Sequence, residues 1–169
     1  EAPRAWGWAI LLPLVTHPLL DALTVYGTQL FWPLTTPPVM GGSLFIIDPL
    51  YTLPLLVAVL VAAFAGEARR GGTAVVVGLA LSTGYAGWSL VAQRHVDAIA
   101  AESLRDTPHA DAPRFVVAMP FTTLAWRVVV VTPEGYLEGE RSLVADRGPI
   151  GFIEHRFDRH LLEEAGGLW

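Results

Sequence analysis

The sequence predicts a membrane α-helical protein, with about three transmembrane helices followed by a small α+β domain built on an antiparallel sheet. Three observations lead there. Of 169 residues, 53% are hydrophobic and only 16% charged, where soluble domains carry roughly 25% charged residues; mean hydropathy is +0.46. The charge is also segregated. Between Ala5 and Gly66 the acidic residues are Asp21 and Asp48 and there is no arginine, and Thr73 to Ala92 is uncharged. Beyond Gln93 charged residues become frequent, and alternating β-branched segments appear. The expected division is therefore residues 1–92 as a transmembrane helical region, 93–112 as a helix extension and linker, and 113–169 as a small extramembrane β domain.

A spanning helix needs about 20 mostly apolar residues. The first such segment is Trp6 to Leu23, apolar as far as Val15 and then carrying His17, Pro18 and Asp21. A residue before proline avoids helical geometry, so this helix is expected to break near Pro18. Gly27 to Ser43 holds Pro33, Pro37, Pro38, Gly41 and Gly42, which is too interrupted for helix. Its Phe31, Trp32 and Leu34 suit a membrane interface. The second segment is Asp48 to Ala65, where Asp48 before Pro49 reads as an N-cap with a first-turn proline. The third is Thr73 to Ala92, with Ser82, Thr83, Gly84 and Gly87 as small residues for close helix packing. If every segment spans, Arg4, Arg69 and Arg70 fall on one side, which the distribution of basic residues makes cytoplasmic.

The third helix is expected to continue from Gln93 to Leu104, ending at Asp106-Thr107-Pro108. Strands follow at Arg114–Met119, Trp126–Val131, Tyr136–Leu143 and Ile150–Phe157, with a hairpin turn at Thr132-Pro133-Glu134-Gly135. Asp158 to Glu164 reads as a short terminal helix. A sheet this small needs a packing partner.

Composition excludes several functions. Without cysteine there is no disulfide framework and no cysteine-ligated zinc. A net charge of −5 argues against general nucleic-acid binding, which needs a basic surface. No phosphate loop, dinucleotide fingerprint or nucleophile elbow is present. The chain opens on Glu1 with no basic n-region or small-residue cleavage site, unlike a signal peptide.

His17 and Asp21 carry the strongest chemical signal. Four residues apart, they share one helical face. Imidazole and carboxylate are good ligands for zinc or another divalent ion, and ionisable groups in an apolar stretch mark a site by default. The competing interpretation is a His–Asp pair that only ties helices together. Asp48 is either a further ligand, an orienting or catalytic carboxylate, or simply the N-cap before Pro49. His95 is either a ligand or a solvated interfacial residue, while His109, His155 and His160 read as surface residues. Tyr26, Trp32 and Trp88 read as interfacial anchors.

The stretch Thr16-His17-Pro18-Leu19-Leu20-Asp21-Ala22-Leu23-Thr24-Val25-Tyr26-Gly27-Thr28-Gln29-Leu30-Phe31-Trp32-Pro33 resembles a hallmark of the bacterial inner-membrane metal-dependent hydrolases, a family with a LexA-regulated member. Phe45 to Thr52, Gly87-Trp88-Ser89 with Arg94-His95-Val96, and Pro120 to Val128 are similar to it as well. The resemblance implies a multi-pass inner-membrane protein with a divalent-metal hydrolase site in which His17 and Asp21 are the ligands. It implies an amphiphilic or phosphoester substrate and contact with membrane lipid. Members of that family carry an earlier acidic motif and a His-Arg-Gly…Thr-His motif that this sequence lacks. The chain therefore reads as the C-terminal part of a longer protein whose missing N-terminal region completes the site. The expected function is a metal-dependent membrane hydrolase with Asp48 as its catalytic carboxylate. The alternatives are a non-enzymatic scaffold with a structural His/Asp cluster, or a transporter assembled from several copies.

Overall fold

The computed structural model describes residues 2–157. Within them the chain forms α1 (Ala2–Asp21), α2 (Pro49–Phe64), α3 (Ala68–Leu104) and four strands, β1 (Arg114–Ala118), β2 (Ala125–Thr132), β3 (Gly135–Ser142) and β4 (Phe152–Arg156). The terminal helix expected at Asp158–Glu164 lies outside the described residues.

The expectation of about three transmembrane helices is not met. Among the described residues α3 is the one helix both long and apolar enough to cross a membrane. α2 has 16 residues, about 24 Å at 1.5 Å per residue, against a hydrocarbon core of roughly 30 Å. α1 has the length, at 20 residues, but Arg4, Pro13, His17, Pro18 and Asp21 dilute its apolar character. α1 also runs through Pro18 instead of breaking there. Each of its two interior prolines, Pro13 and Pro18, removes a single backbone donor without ending the helix.

α2 and α3 form an antiparallel pair joined by a short turn. Their closeness depends on glycines that face α2. A Cβ on Gly78 would stand 2.5 Å from Ala58 Cβ and 2.8 Å from the Pro54 carbonyl, and one on Gly71 would stand 3.2 Å from Ala62 Cα. Small residues permit this approach. The expected Gly84 and Gly87 face open space instead, whereas Ser82 is buried and donates to the Tyr51 carbonyl at 2.7 Å.

The last third of α3 leaves the helix pair and lies across a four-stranded antiparallel meander ordered β1-β2-β3-β4. Ala92, Val96, Ala100 and Leu104, spaced one helical turn apart, pack on Val116, Ala118, Trp126, Val128, Val130 and Leu137. Strand residues of alternating burial supply the other half of this core, as half-buried strands require. Thr132 pairs with Gly135, so the β2–β3 turn is the two-residue Pro133-Glu134 loop. The sheet gains its packing partner from the same helix that is apolar enough to enter a membrane.

Residues 22–48 connect α1 to α2 and are more ordered than their proline content suggests. Thr28 and Val39 exchange backbone hydrogen bonds, and Gly41, Gly42 and Leu44 donate to the carbonyls of Ala22, Thr24 and Leu23. Gly42 adopts φ +67°, and a Cβ there would meet Val117 at 2.9 Å. It therefore fits both the backbone turn and the approach of β1, whose Ala118 N–H donates to the Gly42 carbonyl.

Candidate functional site

Two polar assemblies surround this connection. The first is built on a buried carboxylate. Asp48 is 1% exposed and caps α2 through Oδ1, which accepts from Leu50 N–H at 2.9 Å and more weakly from Tyr51 N–H at 3.4 Å. Its Oδ2 accepts from the Tyr85 hydroxyl at 2.9 Å. That hydroxyl accepts from Thr123 Oγ1 at 3.1 Å, which accepts from the Trp88 indole N–H at 3.2 Å. Thr123 also offers its carbonyl to the Trp126 indole N–H at 2.8 Å. The donors run in one direction, from α3 and the β1–β2 connection to the carboxylate at the start of α2. Such a chain satisfies polar groups that would be costly to bury alone. Asp48 thus occupies the N-cap position, and both of its oxygens hold donors.

The second assembly is exposed. On the last turn of α1, His17 Nε2 and Asp21 Oδ2 lie 3.4 Å apart, with side-chain exposures of 76% and 38%. Two donors of a tetrahedral zinc site with bonds of about 2.0–2.1 Å are separated by about 3.3 Å. The pair therefore has suitable donor types, separation and solvent access for one edge of such a site. A catalytic zinc normally takes three protein ligands and an open position, and among the described residues no group of three His, Cys, Asp or Glu side chains converges. The pair fits part of a metal centre.

The other histidines stand apart from this pair. His95 is exposed and lines a cleft with Glu102, Ser103 and Pro149. His155 stacks on Tyr136 at 4.8 Å and approaches Glu138 at 3.4 Å. His109 is half-buried beside Thr107, whose hydroxyl accepts from its backbone N–H. His160 lies outside the described residues. Trp88, expected only as an interfacial anchor, is also a donor to Thr123.

Sequence reasoning missed Tyr85, Thr123 and Gln93. Gln93 Nε2 donates to the Gly41 carbonyl at 2.5 Å and the Val116 carbonyl at 2.7 Å, tying α3 to the connecting segment and to β1. Its place immediately after the uncharged Thr73–Ala92 stretch was a signal: an amide there marks where the helix starts to serve polar neighbours. On the same helix Asp97 holds Arg114 through Nε at 2.5 Å and Nη2 at 3.2 Å. This pairing pushes the Arg114 pKa further up and keeps the guanidinium charged.

A family model described as YdjM inner membrane protein matches residues 1–96. That span takes in α1, the connecting segment, α2 and α3 as far as Val96, and so includes His17, Asp21 and Asp48. No curated protein matches the chain, and no solved structure does.

Proposed function

The chain belongs to the YdjM inner membrane protein family, and from that premise we propose that it is a membrane-embedded, metal-dependent hydrolase acting on an amphiphilic phosphoester. The observation carrying this reading is the His17–Asp21 pair, 3.4 Å apart and solvent-accessible at the end of an apolar helix. His17 would supply an imidazole donor and Asp21 a carboxylate donor, and a catalytic zinc would need at least one more protein ligand. A divalent ion held by these two side chains would lower the pKa of its bound water and so make a nucleophile available near neutral pH. Asp48 serves the site as a positioning residue: it starts α2 and couples that start to Tyr85 and the sheet. Eight large apolar side chains of α1, from Trp6 to Leu19, are exposed. Each is about half to seven-tenths exposed and would gain roughly 1–2 kcal/mol from burial, which supports α1 lying against lipid and a substrate drawn from the same environment.

The non-enzymatic reading, in which His17, Asp21 and Asp48 are only structural polar residues, draws on the direct His17–Asp21 approach without a third converging group among the described residues. Elemental analysis of detergent-purified protein, dialysed against zinc and then against buffer, separates the two. Stoichiometric metal that is lost in both His17→Ala and Asp21→Ala, each still folded, supports the hydrolase and warrants a phosphoester screen. Metal content that neither substitution changes, or no retained metal in the parent protein, overturns it.

A further inference from the structure

A second polar pocket opens where α3 leaves its uncharged stretch. It has a volume of about 270 Å³ and lies between Arg94 on α3, Arg114 on β1 and the connecting segment at Met40 and Gly41. Its floor is fixed, because Gln93 donates to the carbonyls of Gly41 and Val116. Its charge is not balanced. Asp97 takes the Nε–Nη2 edge of Arg114, leaving Nη1 without a hydrogen-bond acceptor among the described residues. Arg94 is exposed and makes no ion pair or side-chain hydrogen bond among the described residues. The pocket thus holds two guanidinium groups against one carboxylate, with a donor edge suited to oxyanions. Met40 and Phe115, 48% and 36% exposed, give it an apolar margin.

Position indicates the source of the anion. Arg70 and Arg94 stand about 36 Å apart along α3, at 1.5 Å per residue. That length is enough to cross a hydrocarbon core of roughly 30 Å, and α3 crossing by its uncharged stretch would carry Arg94 to headgroup depth.

We propose that this pocket binds the phosphate of an anionic phospholipid, with Arg94 and Arg114 Nη1 holding the phosphate and Met40 and Phe115 against its glycerol and upper acyl chains. The inference rests on the chain's membrane setting and is independent of the metal reading, since its test contains no metal.

The test is thermal unfolding of the detergent-solubilised protein with added phosphatidylglycerol, phosphatidylcholine or sodium phosphate. At lipid about 100-fold above its Kd, phosphatidylglycerol should raise Tm by about 5–10 °C over phosphatidylcholine. Arg94→Gln should abolish that rise while keeping the parent Tm in phosphatidylcholine, and Arg69→Gln, at the other end of α3, should retain the rise. An equal rise in Arg94→Gln, or its loss in both variants, reduces the effect to bulk charge and overturns the site. An Arg94-dependent rise given equally by sodium phosphate overturns the lipid as ligand in favour of the free anion.

Discussion

Replacing Asp48 by alanine removes a carboxylate that three donors address, and the cost follows from what those donors lose. The α2 cap through Oδ1 is one well-formed bond at 2.9 Å and one long bond at 3.4 Å, so the loss is about 1 kcal/mol, as for an ordinary N-cap deletion. The Tyr85 hydroxyl loses its acceptor at 2.9 Å. Tyr85 is half-buried, which puts that loss at the low end of the range for an orphaned donor, about 1–2 kcal/mol. One term opposes these: removing a buried carboxylate also removes its desolvation cost, and apolar replacements of buried charges are sometimes stabilising. Here the donors remain after the substitution, so the orphaning terms, together about 2–3 kcal/mol, should outweigh the relief of desolvation and leave a net cost of about 1–2 kcal/mol, with a Tm lower by about 2–8 °C. Asp48→Asn keeps one acceptor oxygen, able to serve the cap or Tyr85 but not both, and should fall about midway. Tyr85→Phe should cost about 1 kcal/mol and should couple to Asp48→Ala by a similar amount in a double-mutant cycle. The assay is thermal unfolding in detergent followed by tryptophan fluorescence, which Trp88 makes sensitive to the network. Stability unchanged or raised in both Asp48 variants, or strict additivity with Tyr85→Phe, would refute the argument that these donors hold the carboxylate.

Two further outcomes follow from the packing. Gly78→Ala places a Cβ 2.5 Å from Ala58 and 2.8 Å from the Pro54 carbonyl, so it should force α2 away and cost about 1–3 kcal/mol. Gly72→Ala on the same helix meets nothing and should gain up to about 1 kcal/mol in helix propensity; Tm shifts of the same sign in both would contradict the close α2–α3 contact. Gln93→Leu strands the Gly41 and Val116 carbonyls, so it should cost about 2–3 kcal/mol and speed proteolysis within residues 22–48, and an unchanged cleavage rate would show that the amide is not the tie.

What the sequence made legible was what local pattern controls. The alternation in Trp126–Val131, the turn before Gly135 and the run of α3 beyond Gln93 all appear, because strand and helix periodicity need no knowledge of distant partners. Asp48 before Pro49 also reads correctly as a cap, a signal carried by adjacent residues. The number of spanning helices was not legible. Hydropathy counts an apolar residue the same in a 16-residue helix as in a longer one, and it does not register where Glu67 and the turn after Phe64 end the element. Tyr85 and Thr123 were invisible for another reason. Tyr85 meets Asp48 across 37 residues and Thr123 meets Tyr85 across 38, pairings set by how the sheet folds back on α3. The packing glycines were misplaced because Gly71 and Gly78 differ from Gly84 and Gly87 only in which way they face, and facing depends on where α2 lies.

The way α1 is held bears on whether the His17–Asp21 pair can serve as part of a site. Most of this helix has little support from the rest of the chain: its residues from Pro3 to His17 are exposed. Its C-terminal exit is different. Ala22 and Thr24 are buried, and three backbone hydrogen bonds from Gly41, Gly42 and Leu44 clamp residues 22–24. The clamp is itself fixed to β1 through Gly42 and to α3 through Gln93. His17 and Asp21 lie within about two turns of that anchor, whereas Trp6 and Trp8 lie at the far end, where nothing among the described residues holds them. Donor positions must be fixed to a fraction of an ångström for metal chemistry. On α1 the anchored end meets that requirement better than the rest of the helix, and it is the end that carries the imidazole and the carboxylate.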